Sequence, residues 1–334
     1  MQDKRIQKIV DETDISILPS LNPDGYEKAN TGSCSRRAGM MNAAGKDLDQ
    51  DFPSLSEYKR FIQDEDFDPF GGGRQAETLS LMEWSLSPFV LSANFYDGAV
   101  MVTYPFDHHR LGQSKKDNLT PDEDVFRHIA GTYASNHKTM ANSTKCYKRT
   151  DNGFINGAQW QSQLNAYSQK GSLKDFSYLF TSNLEISIAL NCCKYPKSEY
   201  LSKEWENNKE SLLTYIEQVH RGIKGRVSAD GGGPVSGVDI IVWNTDGTKR
   251  LKNVATSEKG EFWKVLIPKP GRRNTYKIQA YLEDCGKYGS GKIYQSAKQD
   301  ARISIEKPLI VKNLRLKHVG FCSRNNLSGL FNQL

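Results

Sequence analysis

The sequence predicts an α/β layered domain followed by an all-β sandwich, and two patterns in the 334-residue chain support this. Before Arg221, apolar runs of strand length alternate with segments of helical spacing, which is typical of a sheet covered by helices. After Arg221, short strand-like runs separated by Gly-containing turns extend over roughly 95 residues, a usual size for a sandwich. We therefore predict domains at 1–221 and 222–318 and a flexible tail at 319–334.

The individual elements are predicted from periodicity and from start signals. The segment Thr120-Pro-Asp-Glu123 predicts a helix start, because Thr120 can cap the helix and Glu123 can complete a capping box. We expect a short buried strand at 15–18 and a turn at 22–25. The other predictions are helices at 54–64, 74–85 and 200–219, strands at 89–95, 99–104 and 183–193, and sandwich strands at 225–227, 238–243, 262–267, 276–281 and 309–316.

The composition is that of a soluble globular protein, with 37% hydrophobic and 25% charged residues. The net charge of +6 comes from basic residues that occur in pairs rather than in a long run, so nucleic-acid binding is not expected. No apolar stretch approaches the roughly 20 residues that a membrane span needs. The N-terminal segment, MQDKRIQKIVDE, is too polar for a signal peptide.

Other features are typical of the secretory pathway. The chain has six cysteines, and its three Asn-x-Ser/Thr sequons at Asn118, Asn142 and Asn326 are candidate glycosylation sites. Each feature alone is weak evidence, since sequons occur by chance and an even cysteine count proves little in a chain of this length. The polar N-terminus agrees with these features if the natural chain begins upstream of Met1, which we expect.

Six sequence blocks occur in one order along the chain. They are Leu18-Pro-Ser-Leu-Asn-Pro-Asp-Gly-Tyr-Glu27, Lys46-Asp-Leu-Asp-Gln-Asp-Phe-Pro53, Pro88-Phe-Val-Leu-Ser-Ala-Asn94, Tyr104-Pro-Phe-Asp107, Gly153-Phe-Ile-Asn-Gly-Ala158 and Asn191-Cys-Cys-Lys-Tyr-Pro196. In order and spacing they resemble the N/E branch of the zinc metallocarboxypeptidases, the group of carboxypeptidases D, E, M and N. The resemblance implies a mixed-sheet carboxypeptidase-like domain followed by a transthyretin-like sandwich. It also implies that the first strands and the zinc-motif helix of that fold would precede Met1.

The resemblance implies a defined site chemistry. Family enzymes remove a C-terminal Lys or Arg from peptides with a zinc ion, held by two His and one Glu, that polarises the scissile carbonyl and activates a water. A separate Glu is the general base, an Arg stabilises the oxyanion, and an Asn-Arg pair binds the terminal carboxylate of the substrate. A Tyr covers the site.

Of the family's zinc-ligand positions, we expect only the third to lie within this chain, and it carries another residue. The family's His-x-x-Glu motif stands upstream of Asn22, and none of the six histidines has Glu three residues later. The third ligand should follow the Leu-Ser-Ala-Asn strand, where this chain has Tyr96. Asp97 could offer an oxygen, but we interpret it as a solvated loop residue, because catalytic zinc needs three protein ligands. We therefore predict no cofactor.

The positions of the general base and of the oxyanion Arg are also changed. Where the family reads Glu-Leu-Ser-Cys, this chain reads Ala-Leu-Asn-Cys, with Ala189 in place of Glu. Losing a general base costs ~10²–10⁴ in rate. Glu185 points to the same strand face but lies more than ~12 Å away at ~3.3 Å per residue, so we interpret it as structural. The oxyanion position is Met40; a shifted loop could bring in Arg36 or Arg37, which are more typical of solvated surface.

The substrate clamp is replaced by residues of the wrong charge. The family's Asn-Arg pair becomes Asp49 and Gln50, and a carboxylate at 49 would repel the terminal carboxylate of a peptide. Tyr178 matches the covering Tyr, but it cannot catalyse without its partners. The stretch 161–170 is longer than expected for the family, and we interpret it as drift beside a site no longer under constraint.

The resemblance implies an extracellular or secretory chain, in which Cys146 pairs with Cys192 or Cys193 and no reactive thiol is left there. We interpret the chain as a catalytically inactive, carboxypeptidase-like module, secreted or tethered to a membrane, that binds or scaffolds a protein or peptide partner. The alternative is an active zinc carboxypeptidase, removing C-terminal Lys or Arg, from an incomplete gene model. Restoring His-x-x-Glu would return two ligands but not the third His, the base or the clamp.

Overall fold

The computed structural model divides into two compact units. One unit comprises Met1–Leu119 and Phe126–Gln218, and the other comprises Thr120–Val125 and Val219–Leu334. The division after Gln218 lies close to the predicted domain boundary at 221, whereas the assignment of the short segment Thr120–Val125 to the second unit was not foreseen. The structure describes residues 3–35, 38–64, 66–107, 118–142, 144–146, 149–151, 153–157, 171–270, 274–285 and 289–322.

The first unit is built on strands that form a mixed sheet and a small hairpin. Its described strands are β1 (Leu91–Tyr96), β2 (Met101–Tyr104), β3 (Thr144–Cys146), β4 (Arg149–Asp151), β5 (Phe154–Asn156) and β6 (Leu184–Ala189). The sheet has the order β1-β6-β2-β5, in which β6 runs parallel to β1 and antiparallel to β2, and β2 runs parallel to β5. β3 and β4 pair separately. The predicted strands at 89–95 and 99–104 are thus confirmed, and the strand predicted at 183–193 is confirmed over Leu184–Ala189.

The described helices are α1 (Lys4–Glu12), α2 (Pro23–Lys28), α3 (Leu55–Phe61), α4 (Ala76–Ser85), α5 (Glu123–Asn136), α6 (Leu173–Phe180) and α7 (Leu201–Ile216). Local sequence sets their starts. A capping box opens α3, since the Ser54 side chain accepts from the Glu57 N–H and the Glu57 carboxylate accepts from the Ser54 N–H. Ser172 caps α6 by accepting from the Asp175 N–H at 3.3 Å.

Three local predictions are wrong. The segment 15–18 is not a buried strand; Ile17 is 80% exposed, because no described strand pairs with this segment. The segment 22–25 opens α2 rather than a turn, because Asn22 Oδ1 caps the helix by accepting from the Gly25 N–H at 2.9 Å. Helix α5 begins only at Glu123, so Thr120 lies too far upstream to cap it.

Helix α7, within the segment predicted as a helix at 200–219, buries a largely polar face. Trp205 is 59% exposed, whereas Ser211 and Tyr215 are buried. Ser211 Oγ donates to the Tyr133 carbonyl at 2.8 Å, and the Tyr215 hydroxyl donates to the Ser92 carbonyl at 2.6 Å. Because the Ser211 and Tyr215 hydroxyls are paired, burying them leaves neither group unsatisfied.

The second unit is an all-β sandwich of two sheets. Its strands are β7 (Gly222–Ser228), β8 (Asp239–Trp243), β9 (Val254–Ala255), β10 (Glu261–Lys264), β11 (Asn274–Asp284), β12 (Lys292–Gln295), β13 (Gln299–Ile303), β14 (Leu309–Val311), β15 (Leu314–Arg315) and β16 (Lys317–Phe321). One sheet has the order β10-β7-β14 with β15 also on β7, and the other has the order β16-β12-β11-β8-β9 with β13 on β11. Both sheets contribute to one apolar core, including Ile223 and Phe262 from the first sheet and Ile240 and Ile278 from the second.

The predicted start of the flexible tail, at residue 319, is placed too early in the chain. Residues 319–321 complete β16, which pairs antiparallel with β12, and Cys322 forms a disulfide with Cys285. The polar character of this segment conceals the strand because β16 lies at the edge of its sheet, where polar residues are tolerated. The rest of the predicted tail lies outside the described residues.

Gly225 in β7 is a position where any side chain should destabilise the sandwich. A Cβ added there would overlap the Lys312 carbonyl oxygen. We expect Gly225→Ala to lower the free energy of unfolding in urea by ~1–3 kcal/mol. Gly231→Ala is the matched control, since no atom lies within 4 Å of its added Cβ. Equal unfolding midpoints for the two variants would contradict the prediction.

Candidate functional site

The ends of β1 and β6 bring together the positions expected for the third zinc ligand and the general base. Tyr96 and Ala189 are direct neighbours in the parallel register of the two strands. Ala189 is fully buried in an apolar cluster with Ala99 and Met101, and Tyr96 packs against this cluster. The surroundings of position 189 are therefore those of a hydrophobic core, in which an unpaired carboxylate would be costly.

The residues around Tyr96 do not fit a catalytic zinc ion. Burial raises the pKa of the Tyr96 phenol, so the hydroxyl stays protonated at neutral pH, and Lys194 Nζ lies 5.1 Å from the centroid of its ring. The adjacent Asp97 has a pKa raised by burial to about 7. Within the described part of the chain, no group of three or more His, Cys, Asp or Glu side chains could hold a metal ion, whereas catalytic zinc needs three protein ligands.

The two clamp positions lie on a 3-10 turn, Leu48–Gln50. Asp49 Oδ1 accepts from the Leu173 N–H at 3.2 Å, and burial raises the pKa of its carboxyl to about 6. Gln50 is exposed, and its Nε2 donates to Asp47 Oδ2 at 2.8 Å. Neither side chain offers the cationic fork that binds a carboxylate through two hydrogen bonds.

The oxyanion position is occupied by an apolar side chain. Met40 is partly buried, and its carbonyl accepts from Asn22 Nδ2 at 3.1 Å. A thioether carries no charge and offers no N–H to a developing oxyanion, so Met40 cannot take the part of an Arg. The two alternatives, Arg36 and Arg37, lie outside the described residues, as does the stretch 161–170.

Tyr178, at the family's covering position, is a core residue of α6. It is fully buried, and its ring meets Phe106 and Phe126 edge-on with centroid distances of 5.5 and 5.3 Å. Aromatic pairs of this kind each contribute ~0.5–1.5 kcal/mol beyond area burial. The structure therefore gives Tyr178 a packing role.

Glu185 is held by three donors, four residues before Ala189 on β6. It accepts from Ser92 Oγ at 3.0 Å, from Asn94 Nδ2 at 3.1 Å and from Ser177 Oγ at 2.7 Å. Burial raises the pKa of its carboxyl to about 7 even though the serine hydrogen bonds oppose that shift. These contacts agree with a structural interpretation of Glu185.

The most buried charged cluster among the described residues of this unit was not predicted from the sequence. Lys174 on α6 is 4% exposed and Asp107 1% exposed, and Lys174 Nζ pairs with Asp107 Oδ2 at 2.5 Å. Both carboxylate oxygens of Asp175 accept from the Asp107 N–H at 3.1 Å. A signal was available in the sequence Leu173-Lys-Asp-Phe176, where a charged pair interrupts an apolar helix.

The cluster has more acidic than basic groups, and the pKa directions follow from this. Burial disfavours the charge on Lys174, but Asp107 and Asp49 outweigh it and raise the pKa of the ammonium. Burial, reinforced by Asp107, raises the pKa of Asp175 to about 8. Asp49 in the clamp position is therefore part of an internal network with Lys174 rather than an isolated surface carboxylate.

Disulfides tie the segment that follows β6 to the rest of the first unit. Cys146 pairs with Cys192, which is one of the two pairings predicted for it. Cys193 pairs with Cys34, a bridge that sequence analysis missed because the two residues are separated by 159 positions. No free cysteine remains among the described residues.

The three predicted sequons differ in accessibility. Asn118 is 8% exposed, and this burial disfavours a glycan in the folded chain, because a bulky sugar needs an exposed amide. Its carbonyl also accepts from Asn156 Nδ2 at 3.3 Å, which fixes the segment in the interior. Asn142 is exposed and remains a candidate. Asn326 lies outside the described residues.

A mixed α/β sheet carrying these positions in this order defines a carboxypeptidase-like protein. The zinc carboxypeptidase family model matches residues 1–211, and the chain belongs to this family. Its relatives include carboxypeptidase D of Drosophila melanogaster (38% identical, 78% of this chain and 18% of that protein), carboxypeptidase M of Mus musculus (37%, 80% and 57%) and carboxypeptidase Z of Homo sapiens (38%, 79% and 42%). The resemblance to the N/E branch is thus confirmed.

The chain covers less than two thirds of the length of each of these relatives. Among solved structures, carboxypeptidase A from Helicoverpa armigera aligns with a TM-score of 0.40 and 14% identity, over 64% of this chain and 55% of that one.

Removing the buried ammonium should destabilise the first unit. We expect Lys174→Met to lower the free energy of unfolding by ~3–5 kcal/mol, because Asp107 would remain as an uncompensated buried charge. Replacing both partners, as Lys174→Met with Asp107→Leu, should restore much of the loss. Lys209→Met, at a side chain 47% exposed, is the control. A loss in urea denaturation no larger than that of the control would contradict the role assigned to the pair.

Glu185 should make stability depend on pH. Its folded pKa of about 7 lies above its ordinary value of 4.5, so the folded state holds a proton that the unfolded state releases. This contribution is lost as pH rises from about 4.5 to about 7. Between pH 5 and 8, the free energy of unfolding of the wild type should therefore fall by about 2 kcal/mol more than that of Glu185→Gln. The control Glu83→Gln, at an exposed residue, should show the same pH dependence of stability as the wild type. If the Glu185→Gln profile is also parallel to that of the wild type, the pH dependence does not come from Glu185.

Proposed function

We propose that this chain is a catalytically inactive member of the zinc carboxypeptidase family that acts as a binding or scaffolding module. The observation that carries the proposal is the environment of Ala189, the general-base position, which is fully buried in an apolar cluster with Met101 and beside Tyr96. Hydrolysis of a peptide needs a base and an activated water at that place, and a dry apolar cluster supplies neither.

The clamp supports the same proposal. A peptide's terminal carboxylate would meet the Asp49 carboxyl, which is already bonded to the Leu173 N–H, and the neutral Gln50. Lys174, the buried cation that interacts with Asp49, is paired with Asp107 and so is not available to bind a ligand. Loss of base and clamp together removes interactions made with the transition state and interactions made with the substrate.

We further propose an extracellular or secretory location and a transthyretin-like identity for the sandwich. Three disulfides support the location, since such bonds persist in oxidising compartments. The two-sheet arrangement with a shared core supports the identity of the second unit. No helix in the described part of the chain is long and apolar enough to cross a membrane. The partner proposed is a protein or peptide, not a nucleic acid.

A peptidase assay tests the proposal. The full chain, supplied with zinc, is incubated with peptides ending in Lys or Arg, and release of the terminal residue is measured with and without a chelator. We expect no chelator-sensitive release from the chain or from Ala189→Glu, because the single base does not restore the ligands or the clamp; base loss alone costs ~10²–10⁴ in rate. Chelator-sensitive turnover by the unmodified chain would establish the alternative, an active zinc carboxypeptidase.

A further inference from the structure

An open aromatic pocket lies beside helix α6, away from the buried ion pair. It encloses about 420 Å³, and Phe61, Phe67, Phe70 and Phe180 line it above the fully buried Phe176. A volume of this size is in the range of small-ligand pockets, and it exceeds the bulk of a single side chain. The pocket uses none of the positions discussed for catalysis.

The helix separates the two sites. Phe176 and Phe180 are four residues apart and share one face of α6, whereas Lys174 is two residues from Phe176 and so points about 200° away around the helix. The walls hold one another in place, since the Phe180 ring lies 5.4 Å from Phe176 and 5.7 Å from Phe61. Phe61 is 43% exposed, which leaves the pocket open to solvent.

The rim of the pocket is acidic. Asp66 and Asp68 belong to its lining and are exposed. Asp68 Oδ1 accepts from the Phe70 N–H at 2.8 Å, and neither carboxylate forms an ion pair among the described residues. In the sequence, the segment 64–68 contains four acidic residues and no basic one.

The nearby arginines are already engaged. Arg60 pairs with Asp64 at 3.2 Å and lies 4.7 Å above the centroid of the Phe67 ring. Arg74 donates to the Pro69 carbonyl at 3.1 Å and pairs with Glu57. The contact of Arg60 with Phe67 shows that a guanidinium is compatible with these rings, while the charges of Asp66 and Asp68 remain available.

We propose that this pocket binds the cationic side chain of a lysine or arginine from a partner polypeptide. The aromatic faces attract a cation through their quadrupoles, and the aliphatic stem packs against Phe61 and Leu86. The carboxylates of Asp66 and Asp68 provide the complementary charge, which is the feature that favours a basic side chain over an apolar one. The proposal does not depend on whether the chain hydrolyses peptides.

Short peptides blocked at both ends test the proposal. The full chain is titrated with acetyl-Gly-Gly-X-Gly-Gly-amide, where X is arginine, lysine or the neutral arginine analogue citrulline, and binding is followed by NMR. The blocked C-terminus keeps these peptides from acting as carboxypeptidase substrates. We expect Kd values on the order of 1 mM for arginine and lysine and binding at least about fivefold weaker for citrulline.

Variants locate the binding. Asp66→Asn with Asp68→Asn, and separately Phe67→Leu, should each weaken arginine-peptide binding about fivefold. The control pair Asp24→Asn with Asp230→Asn makes the same change in net charge at exposed positions and should leave it unchanged. Matching melting midpoints show that the variants are folded. Equal affinity for citrulline and arginine, no binding up to about 10 mM, or no effect of the pocket variants in folded protein would each overturn the proposal.

Discussion

The interior of the first unit depends on one buried ion pair, between Lys174 and Asp107. The pair joins helix α6 to the segment after β2, and Lys174 Nζ also donates to Ser187 Oγ on β6 at 3.4 Å. Burying two charges is favourable only when each has a partner and the remaining polar groups are bonded. The Asp107 N–H is satisfied by the Asp175 carboxyl, whereas Asp107 Oδ1 has no hydrogen-bond partner among the described residues, so the condition is met only in part.

This network decides what the rest of the site can be. A cation placed among Asp49, Asp107 and Asp175 allows a carboxyl at the clamp position to be buried, because the ammonium lowers its pKa against the effect of desolvation. Asp49, Asp107 and Asp175 therefore interact with Lys174 inside the chain rather than with a ligand. At the end of β6, by contrast, Ala189 and Tyr96 join an apolar cluster. The candidate site is thus divided into a polar half around Lys174 and an apolar half around Ala189.

Much of the fold could be predicted because it is encoded locally. The apolar runs of β1, β2 and β6 and the capping box of α3 are signals contained in a few consecutive residues. The neighbouring places of Tyr96 and Ala189 follow once the two strands are paired. Sequence alone could not pair Asp107 with Asp175 across 68 positions, nor Cys34 with Cys193, because no local pattern encodes such distances. The buried face of helix α7 could not be predicted for a related reason. Its polar groups are bonded through tertiary hydrogen bonds, which the local sequence does not encode.

Helix α6 carries residues of the buried polar network and residues that line the aromatic pocket. Lys174 and Tyr178 are buried, and their replacement is constrained by an ion pair and by two aromatic contacts. Phe176 is also fully buried, and together with Phe180 it lines the pocket on the opposite face of the helix. The buried face fixes the helix axis and rotation, and this in turn fixes the aromatic walls. Binding at the pocket would therefore depend on the same ion pair that closes the polar half of the site, although the two places share no ligand.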